Sequence, residues 1–412
     1  MEQYKYVIIG GGAAGVSVAE TIRQTNKSGS LAVISDEPHA LYSRVMLSKP
    51  NFFLGKVPFD QIYLKGENWY KENQIQFLGG KTVISLDGAK KVLTLADGGE
   101  IQYEKLLVAT GVQTRRLNLP GADKLGIHYL RTLEDGKKIM EHIKIAKRAV
   151  TLGGGFISFE MADLLKLAGL ETTVILRESY FWKPILDEAS GMMIENALTK
   201  NGIKIIKEAE LAEITGGEAV EGVALKDGRQ IPCELLMCGI GVVSLLDWAK
   251  QSGFATNKGI LANEYLETNI PDVWTAGDIA EYKDLLLEEN VQMGNWVNAR
   301  EQGRVAALNM ISNERKPFKF VSFYTTQGLG ITIAFVGDVA PGPDRLIISR
   351  GSPEINSYGR IIIVGKELVG ATLVNRTGEM ATISKLIENN VDISAHHADL
   401  ADPNFDLKKL LV

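Results

Sequence analysis

Two segments of the chain share one pattern of hydrophobic and polar positions. In each, an apolar run too short for a helix stops at three glycines, and small residues then open an amphipathic stretch. The two segments are residues 7–20 and 150–162. This order of features predicts a strand, a tight turn and a helix at both places.

The small residues of this pattern have separate roles. The first glycine permits the turn, the second lets a pyrophosphate approach the backbone, and the third lets the helix lie close to the strand, with its N-terminus toward the phosphates. These positions are Gly10, Gly12 and Gly15 in the first copy and Gly153, Gly155 and Ser158 in the second. Two copies predict two dinucleotide sites, and the usual reason to hold two is to pass a hydride between them.

The residues after the first turn continue a nucleotide-binding pattern. Residues 31–34 predict a second strand that ends before Asp36 and Glu37. An acidic residue about 20 positions beyond the glycines is where a ribose 2′-hydroxyl is bound, so both carboxylates are candidates for that role. Further on, residues 81–86 and 91–95 predict a strand pair, and the turn at residues 97–99 predicts another strand after it. Residues 106–111 predict a buried parallel strand.

The pattern as a whole predicts an α/β protein with two Rossmann-like dinucleotide-binding domains and a C-terminal α+β domain. The second glycine turn is followed by strands at residues 172–176 and 235–241, and residues 272–278 form a short apolar run ending in Gly277 and Asp278. Residues 298–310 predict a helix. From about Phe318 the chain becomes β-rich, with strands predicted at residues 331–336, 346–348 and 360–364. The predicted boundaries are 1–113 with 242–317 for the first domain, 114–241 for the second and 318–412 for the third.

Composition narrows the function classes. The chain has 412 residues, of which 45% are hydrophobic and 23% charged, with a formal net charge of −5. A net negative charge argues against a general nucleic-acid binder. No segment reaches the roughly 18 apolar residues of a membrane helix, and the first residues enter a strand rather than a signal peptide, so we expect a cytoplasmic enzyme. We expect no metal site.

Seven motifs, in order along nearly the whole chain, resemble one known family: residues 10–15, 42–49, 109–111, 115, 153–160, 239–241 and 275–278. The family is that of the flavin-dependent pyridine-nucleotide reductases with two dinucleotide-binding domains. Within it, the chain is most similar to the branch of NAD(P)H:rubredoxin and ferredoxin reductases. The resemblance implies FAD in the first site and NAD(P)H in the second.

The resemblance also assigns roles around the FAD. Asp278 would hydrogen-bond the ribityl chain, and the helix after it would point its N-terminus at the N1/O2 edge of the flavin, where its dipole stabilises negative charge. Trp296, just before that helix, would cover the ring. Arg44 and Arg115 match arginines that approach the cofactor, although each could be an ordinary surface arginine. The other implied FAD contacts are the first glycine turn, Asp36, Glu37, Val83, Thr110 and Gly111.

Lys49 and Glu160 are the candidate catalytic residues. In similar proteins the matching lysine reaches the flavin N5 region and pairs with a glutamate on the helix after the second glycine turn. A cation there would stabilise the negative charge that arrives at N5, and a buried carboxylate would keep the lysine charged. The alternative is two unrelated residues, each exposed on its own helix.

The sequence lacks the sulfur chemistry of much of the wider family. Many members carry a Cys-x4-Cys pair near the flavin, and Ser43 and Ser48 occupy that spacing here. The two cysteines present, Cys233 and Cys238, share the spacing but fall before and on a predicted strand, where positions five apart point to opposite faces. We interpret them as buried packing residues, so electrons must leave the flavin directly.

The second nucleotide site departs from the family pattern. Ser158 replaces a glycine or alanine, and Leu176 stands where NADH-preferring relatives place an acidic residue, followed by Arg177. An arginine can accommodate a 2′-phosphate, which favours NADPH weakly. Ser244 and Leu245 replace the Pro-Asn that usually follows Gly241, a candidate contact of the nicotinamide nucleotide.

These observations predict a flavoprotein that accepts a hydride from NAD(P)H and passes electrons to a small iron-sulfur or rubredoxin-type protein. The open alternatives are an NAD(P)H oxidase, a nitrite-reductase-type component or quinone reductase, and a redox-sensing flavoprotein without turnover. A basic docking patch for an acidic redox protein is a weaker hypothesis than an ordinary solvated surface. Its members would be Arg300, Arg304, Arg315, Lys316 and Lys319.

Overall fold

The structure is a computed structural model and describes residues 1–411. Its strands are β1 (Glu2–Ile9), β2 (Leu31–Ser35), β3 (Ile75–Gly79), β4 (Val83–Asp87), β5 (Val92–Leu95), β6 (Glu100–Val108), β7 (Gln113–Thr114), β8 (Ile127–His128), β9 (Arg148–Leu152), β10 (Glu171–Ile175), β11 (Lys204–Ile206), β12 (Leu211–Thr215), β13 (Gly222–Leu225), β14 (Gln230–Pro232), β15 (Leu235–Cys238), β16 (Val242–Val243), β17 (Ile260–Ala262), β18 (Val273–Thr275), β19 (Ala280–Lys283), β20 (Asn290–Val291), β21 (Phe323–Gly328), β22 (Ile331–Gly337), β23 (Arg345–Ser352), β24 (Ser357–Val364) and β25 (Glu367–Val374). Its α-helices are α1 (Ala13–Thr25), α2 (Pro50–Phe53), α3 (Glu67–Glu72), α4 (Leu133–Ile143), α5 (Phe156–Leu167), α6 (Glu188–Lys200), α7 (Asp247–Gln251), α8 (Trp296–Ile311), α9 (Met380–Glu388) and α10 (His397–Ala401).

The chain forms two compact units, and the first contains residues 1–43, 60–113 and 243–322. Its main sheet has the strand order β3-β2-β1-β6-β5-β4, and β18 pairs with β6. Strands β3, β2, β1, β6 and β18 run parallel, with the antiparallel β4–β5 hairpin at one side. Every residue of β2 is buried, as expected of a parallel strand covered on both faces.

The second unit contains residues 44–59, 114–242 and 323–412. It has a parallel sheet in the order β11-β10-β9-β15-β8, a small antiparallel sheet β12-β13-β14, and an antiparallel sheet in the order β21-β22-β25-β24-β23. Two parallel sheets and a separate antiparallel C-terminal sheet confirm the predicted fold class.

One hydrophobic core joins the second parallel sheet to the C-terminal sheet. Phe159 of α5 and Ile194 of α6 pack in one buried cluster with Phe335 of β22 and Tyr358 of β24. This shared core explains why both parts fall in one compact unit. The division of the chain into three domains at residues 113, 241 and 317 stays a prediction.

Two details of the strand prediction were wrong. We expected separate strands after residue 99 and at residues 106–111, but β6 is one strand of nine residues. Its first part pairs with β5, and its whole length pairs with β1. In the C-terminal sheet, β21 and β25 were not predicted because Gly328 and Gly370 interrupt or end their apolar patterns.

Candidate functional site

The two glycine turns have nearly the same backbone geometry. Gly10 has φ +113° and Gly153 has φ +112°, a left-handed region that favours glycine. A Cβ at Gly10 would lie 2.1 Å from the carbonyl oxygen of Ala109, and one at Gly153 would lie 2.3 Å from that of Gly239. Each turn therefore fits against the end of the neighbouring strand only as glycine.

The middle glycines leave space at the helix N-termini. Gly12 is the N-cap of α1 and Gly155 is the N-cap of α5, and neither helix has a side chain capping its first turn. A Cβ on either glycine would meet no atom of the described residues within 4 Å. A phosphate can therefore approach the free backbone N–H groups at both sites, so the turns fit dinucleotide cofactors.

The third small position differs between the turns. A Cβ at Gly15 would lie 2.0 Å from the carbonyl oxygen of Gly10, so only glycine fits there. Ser158 is fully buried, and its hydroxyl has no hydrogen-bond partner within residues 1–411. Close packing survives at Ser158 because the facing residue is Gly239, whose added Cβ would lie 3.1 Å from the Ser158 nitrogen.

The acidic candidates follow β2 as predicted. Asp36 is exposed, and its Oδ1 accepts the Glu37 backbone N–H at 3.0 Å. The Glu37 carboxylate accepts the Tyr42 hydroxyl at 2.7 Å. Val83, which begins β4, comes two residues after Lys81, whose backbone N–H donates to the Ser35 carbonyl at 2.9 Å. Val83 therefore lies near the end of β2 that carries the carboxylates.

The Gly-Asp motif lies against α1 and α8. Gly277 has φ +82°, and a Cβ there would lie 3.2 Å from the Cβ of Ala14. Its backbone N–H donates to Oε1 of the buried Gln302 at 2.8 Å, and Nε2 of Gln292 donates to the Asp278 carbonyl at 2.7 Å. These bonds fix Asp278 three residues after the end of β18, and Gly277 beside the first turn of α1.

Trp296 is the first residue of α8, whereas the sequence placed it just before the helix. The helix begins earlier than predicted because Asn295 caps it, accepting the backbone N–H of Asn298 at 2.9 Å. In the first unit, Thr110 and Gly111 lie two and three residues after the end of β6, and Gly111 has φ +70°. Their assignment to the FAD stays a prediction.

The predicted arginines are held by backbone carbonyls of the second unit. Nη1 of Arg44 donates to the Arg131 carbonyl at 2.9 Å. The backbone N–H of Arg115 donates to the Gly241 carbonyl and its Nε donates to the Val242 carbonyl, both at 3.0 Å. The structure thus brings Arg115 and Gly241 together.

Lys49 and Glu160 form an ion pair within the second unit. Nζ of Lys49 lies 2.5 Å from Oε1 of Glu160. The Lys49 side chain is 24% exposed and the Glu160 side chain 9% exposed. The alternative of two separate exposed residues is therefore wrong, because the carboxylate is buried and bound to the lysine. Their catalytic role stays a prediction.

Two hydroxyl groups complete the surroundings of this carboxylate. Ser48 donates to Oε2 of Glu160, and Thr326 of β21 donates to Oε1 at 2.6 Å. Ser48 was noted in the sequence only as a replacement for cysteine, and Thr326 was not singled out. No sequence signal marked Thr326, since its role depends on packing between α5 and the C-terminal sheet.

Asp163, one turn after Glu160 on α5, is a further buried carboxyl that the sequence did not reveal. Its carboxylate lies next to the backbone of Gly328 and Leu329, in the turn after β21. Burial raises the pKa of Asp163 above its usual value, the polar backbone at Leu329 opposes that rise, and the nearby Glu160 adds to it.

The two cysteines are buried packing residues, as predicted. Burial raises the pKa of both thiols to about 12. The prediction that they point to opposite faces was wrong, because both pack in one hydrophobic cluster with Tyr129 and Val150. Cys233 precedes β15 rather than lying on it, so the alternation of side chains along a strand does not apply to it.

The nucleotide-preference residues differ in exposure. Leu176 is fully buried, so its side chain cannot reach a ribose. The Arg177 side chain is 74% exposed, and its Nη2 lies 2.8 Å from Oε1 of Glu178. An acidic neighbour therefore partly neutralises the arginine that the sequence suggested for a 2′-phosphate.

The proposed basic patch consists largely of paired charges. Arg300 binds Glu20, Arg304 binds Glu301 and Arg315 binds Glu267. These pairs favour an ordinary solvated surface over a docking patch. Within residues 1–411, no helix is long and apolar enough to cross a bilayer, and no group of three or more His, Cys, Asp or Glu side chains is placed to bind a metal ion.

Comparison with known proteins gives matches over almost the whole chain. A family model described as pyridine nucleotide-disulphide oxidoreductase matches residues 4–303, and one described as reductase C-terminal matches residues 322–411. Rubredoxin-NAD(+) reductase of Pseudomonas putida is 30% identical, covering 92% of this chain and 99% of its own. The crystal structure of the ferredoxin reductase for the CYP199A2 system from Rhodopseudomonas palustris superposes with a TM-score of 0.92 at 28% identity, covering 99% of this chain and 100% of that one.

A third relative is longer. Nitrite reductase [NAD(P)H] of Bacillus subtilis (strain 168) is 30% identical over 96% of this chain, which spans only 48% of that relative's length. The family match covers more than half of the chain, and it includes both glycine turns and the Lys49–Glu160 pair. The chain belongs to the pyridine nucleotide-disulphide oxidoreductase family.

Proposed function

We propose that this FAD- and NAD(P)H-dependent oxidoreductase passes its electrons to a small iron-sulfur or rubredoxin-type protein. The observation that carries the proposal is the placement of the sulfur and hydroxyl groups. Ser48 stands where a redox cysteine would be and donates its hydroxyl to Glu160, while the only two thiols are buried with pKa values of about 12. A thiol in that state supplies almost no thiolate for disulfide exchange.

The acceptor must then lie outside the chain. Relatives that match along their whole length are named for ferredoxin or rubredoxin as the protein they reduce, which supports a small redox protein over molecular oxygen. We place the enzyme in the cytoplasm, where reduced nicotinamide nucleotides are available.

The protein's own contribution is binding and electrostatics. When bound, FAD takes two electrons from the nicotinamide nucleotide and releases them one at a time. The turn at Gly10–Gly15 would bind the FAD pyrophosphate through the N-terminal N–H groups of α1, and the turn at Gly153–Ser158 would bind the nicotinamide nucleotide through those of α5. Asp278, fixed after β18, would accept hydrogen bonds from the ribityl hydroxyls.

Lys49 supplies the positive charge that the family resemblance assigns to the flavin N5 region. Its carboxylate partner, Glu160, accepts three donors, which together hold the carboxylate in place beside the ammonium group. This arrangement would stabilise the negative charge that accumulates on the flavin during reduction.

Nucleotide preference rests on Arg177. An exposed guanidinium can bind a 2′-phosphate, but Glu178 competes for it. We therefore propose a modest preference for NADPH. An Arg177→Ala variant should lower kcat/KM for NADPH and leave that for NADH nearly unchanged, and equal losses for both nucleotides would contradict this assignment.

The cofactor assignments can be tested with three matched glycines. Gly12, Gly155 and Gly66 are all helix N-caps with extended backbone, and an added Cβ would meet nothing within 4 Å at any of them. Alanine at each position should therefore leave the protein folded. Gly12→Ala should lose FAD, Gly155→Ala should keep FAD but raise KM for NAD(P)H, and Gly66→Ala should do neither. Retention of full FAD content in Gly12→Ala would overturn the first assignment.

A sensing flavoprotein without turnover is distinguished by a simple assay. Steady-state oxidation of NADPH with an artificial electron acceptor should give many turnovers per FAD. A reduced complex that persists in the presence of the acceptor would favour the sensor instead. The match to part of a longer nitrite reductase makes a role as one component of a larger system the second candidate.

A further inference from the structure

We infer that Thr326, on the C-terminal sheet, is a positioning residue for the Lys49–Glu160 pair. This inference rests on the proposed function, because the pair matters for catalysis only if it serves flavin reduction. The family resemblance assigned no role to Thr326, and nothing in the sequence pattern marked it.

The geometry starts from the two oxygens of Glu160. Oε1 accepts both Nζ of Lys49 at 2.5 Å and the hydroxyl of Thr326 at 2.6 Å. Oε2 accepts the hydroxyl of Ser48. Thr326 is 3% exposed and Ser48 is 4% exposed, so water has little access to replace either hydroxyl. The C-terminal sheet thus contributes one of the three donors to a buried carboxylate.

The position of Thr326 is set by strand alternation. Thr326 is buried in β21, while its neighbours Thr325 and Gln327 are exposed. It pairs with Ile333 of β22, which is fully buried. A buried threonine among apolar neighbours is tolerated when its hydroxyl has a partner, and here the partner is Glu160.

Asp163 lies close to the turn of the same hairpin. Its carboxylate is near the backbone of Gly328 and Leu329, between β21 and β22. A Cβ at Gly328 would lie 2.9 Å from Oδ2 of Asp163, so the turn approaches this carboxylate closely. Two carboxylates one turn apart on α5 therefore face β21. Glu160 is bound by the side chain of Thr326, and Asp163 lies close to the turn that follows β21.

The consequence is a dependence of Lys49 on Thr326 through Glu160. The charged groups facing Glu160 are Lys49 from the segment before α2 and Asp163 from α5. Without the Thr326 hydroxyl, Oε1 keeps only the lysine, and a proton competes more easily for the carboxylate. Once Glu160 is protonated, Lys49 loses its counter-charge and its fixed position.

The test uses three variants of the full-length, FAD-containing protein. Thr326→Val keeps the shape and removes the hydroxyl, Thr326→Ser restores a hydroxyl, and Thr325→Val is the matched control on an exposed neighbour. The measured quantity is the rate constant of flavin reduction by NADPH as a function of pH. We expect Thr326→Val to shift the acid limb to higher pH by about one unit, a rate loss of about tenfold on that limb. Thr326→Ser should restore the profile, and Thr325→Val should not change it.

A second readout does not depend on turnover. The thermal midpoint of each Thr326 protein is measured with Glu160 and with Glu160→Gln, since a neutral amide accepts a weaker hydrogen bond than a carboxylate. Thr326→Val should lower Tm at least twice as much in the Glu160 protein. Equal losses in both backgrounds, or identical pH profiles of Thr326→Val and Thr325→Val, would overturn the inference. If NAD(P)H fails to reduce the wild-type flavin, the proposed function fails, and the Tm comparison still decides the role of Thr326.

Discussion

Replacing Lys49 with methionine perturbs the ion pair at the centre of the candidate site. Methionine keeps most of the apolar stem of lysine and removes the ammonium group. Glu160 is then left as a buried carboxylate without its counter-charge. We expect slower flavin reduction by NAD(P)H together with a loss of stability.

The magnitude follows from the burial of the two side chains. Breaking a fully buried ion pair from one side costs about 3–5 kcal/mol, because the remaining charge stays desolvated. Here Lys49 is 24% exposed, and the hydroxyls of Ser48 and Thr326 still donate to Glu160. Both facts reduce the cost, so we expect a loss of about 2–3 kcal/mol in the free energy of unfolding.

A double-mutant cycle with Glu160→Gln isolates the interaction. Glu160→Gln removes the charge that Lys49→Met leaves unpaired, so the double variant should recover about 1–2 kcal/mol of the lost stability. The rate of flavin reduction should not recover, since only the lysine carries the positive charge. The measurements are denaturant unfolding of the four proteins and single-turnover flavin reduction.

Additivity would refute the reasoning. If the two stability effects sum within about 0.5 kcal/mol, the residues are not energetically coupled and the pair must be abandoned. Recovery of the reduction rate in the double variant would also contradict the role of the lysine charge.

Three further predictions concern other parts of the chain. Gly10→Ala should lose FAD and destabilise the protein by at least about 2 kcal/mol, because the new Cβ would lie 2.1 Å from a backbone carbonyl oxygen. The measurements are the FAD content of the purified variant and its unfolding in denaturant. A double Cys233→Ser, Cys238→Ser variant should keep its turnover per bound FAD, and a loss at unchanged FAD content would contradict direct electron exit. Burial and the nearby His142 lower the pKa of His128 from 6.5 to about 4. The unfolded chain therefore binds more protons between these pH values, and the free energy of unfolding should fall by about 2–3 kcal/mol between pH 7 and pH 4, as measured by urea titration. A His128→Gln protein should lose most of this pH dependence.

Local sequence patterns predicted the nucleotide-binding sheets because their signals lie within short segments. Each glycine turn combines a short apolar run with residues whose φ values only glycine adopts easily. The Gly277–Asp278 motif likewise follows a buried strand, as its pattern indicated. The start of α8 was placed two residues too late, at residue 298, because the capping role of Asn295 was not recognised from the sequence.

The surroundings of Glu160 could be predicted only in part. The pairing with Lys49 followed from the resemblance, but Ser48 and Thr326 reach Glu160, and Asp163 reaches the β21–β22 turn, each through a contact between segments more than 100 residues apart. No local pattern encodes such a contact. The shared core between α5 and β22 is long-range for the same reason, and it makes one compact unit of two predicted domains.

Anaerobic stopped-flow of the purified protein tests the central claim most directly. The flavin absorbance is followed as NADPH or NADH is added, and the reduced protein is then mixed with a rubredoxin, a [2Fe–2S] ferredoxin or air-saturated buffer. The account predicts rapid bleaching of a flavin band present at one FAD per chain, and faster reoxidation by one of the protein acceptors than by oxygen. A folded protein without flavin, or a reduced flavin reoxidised no faster by either protein than by oxygen, would contradict it.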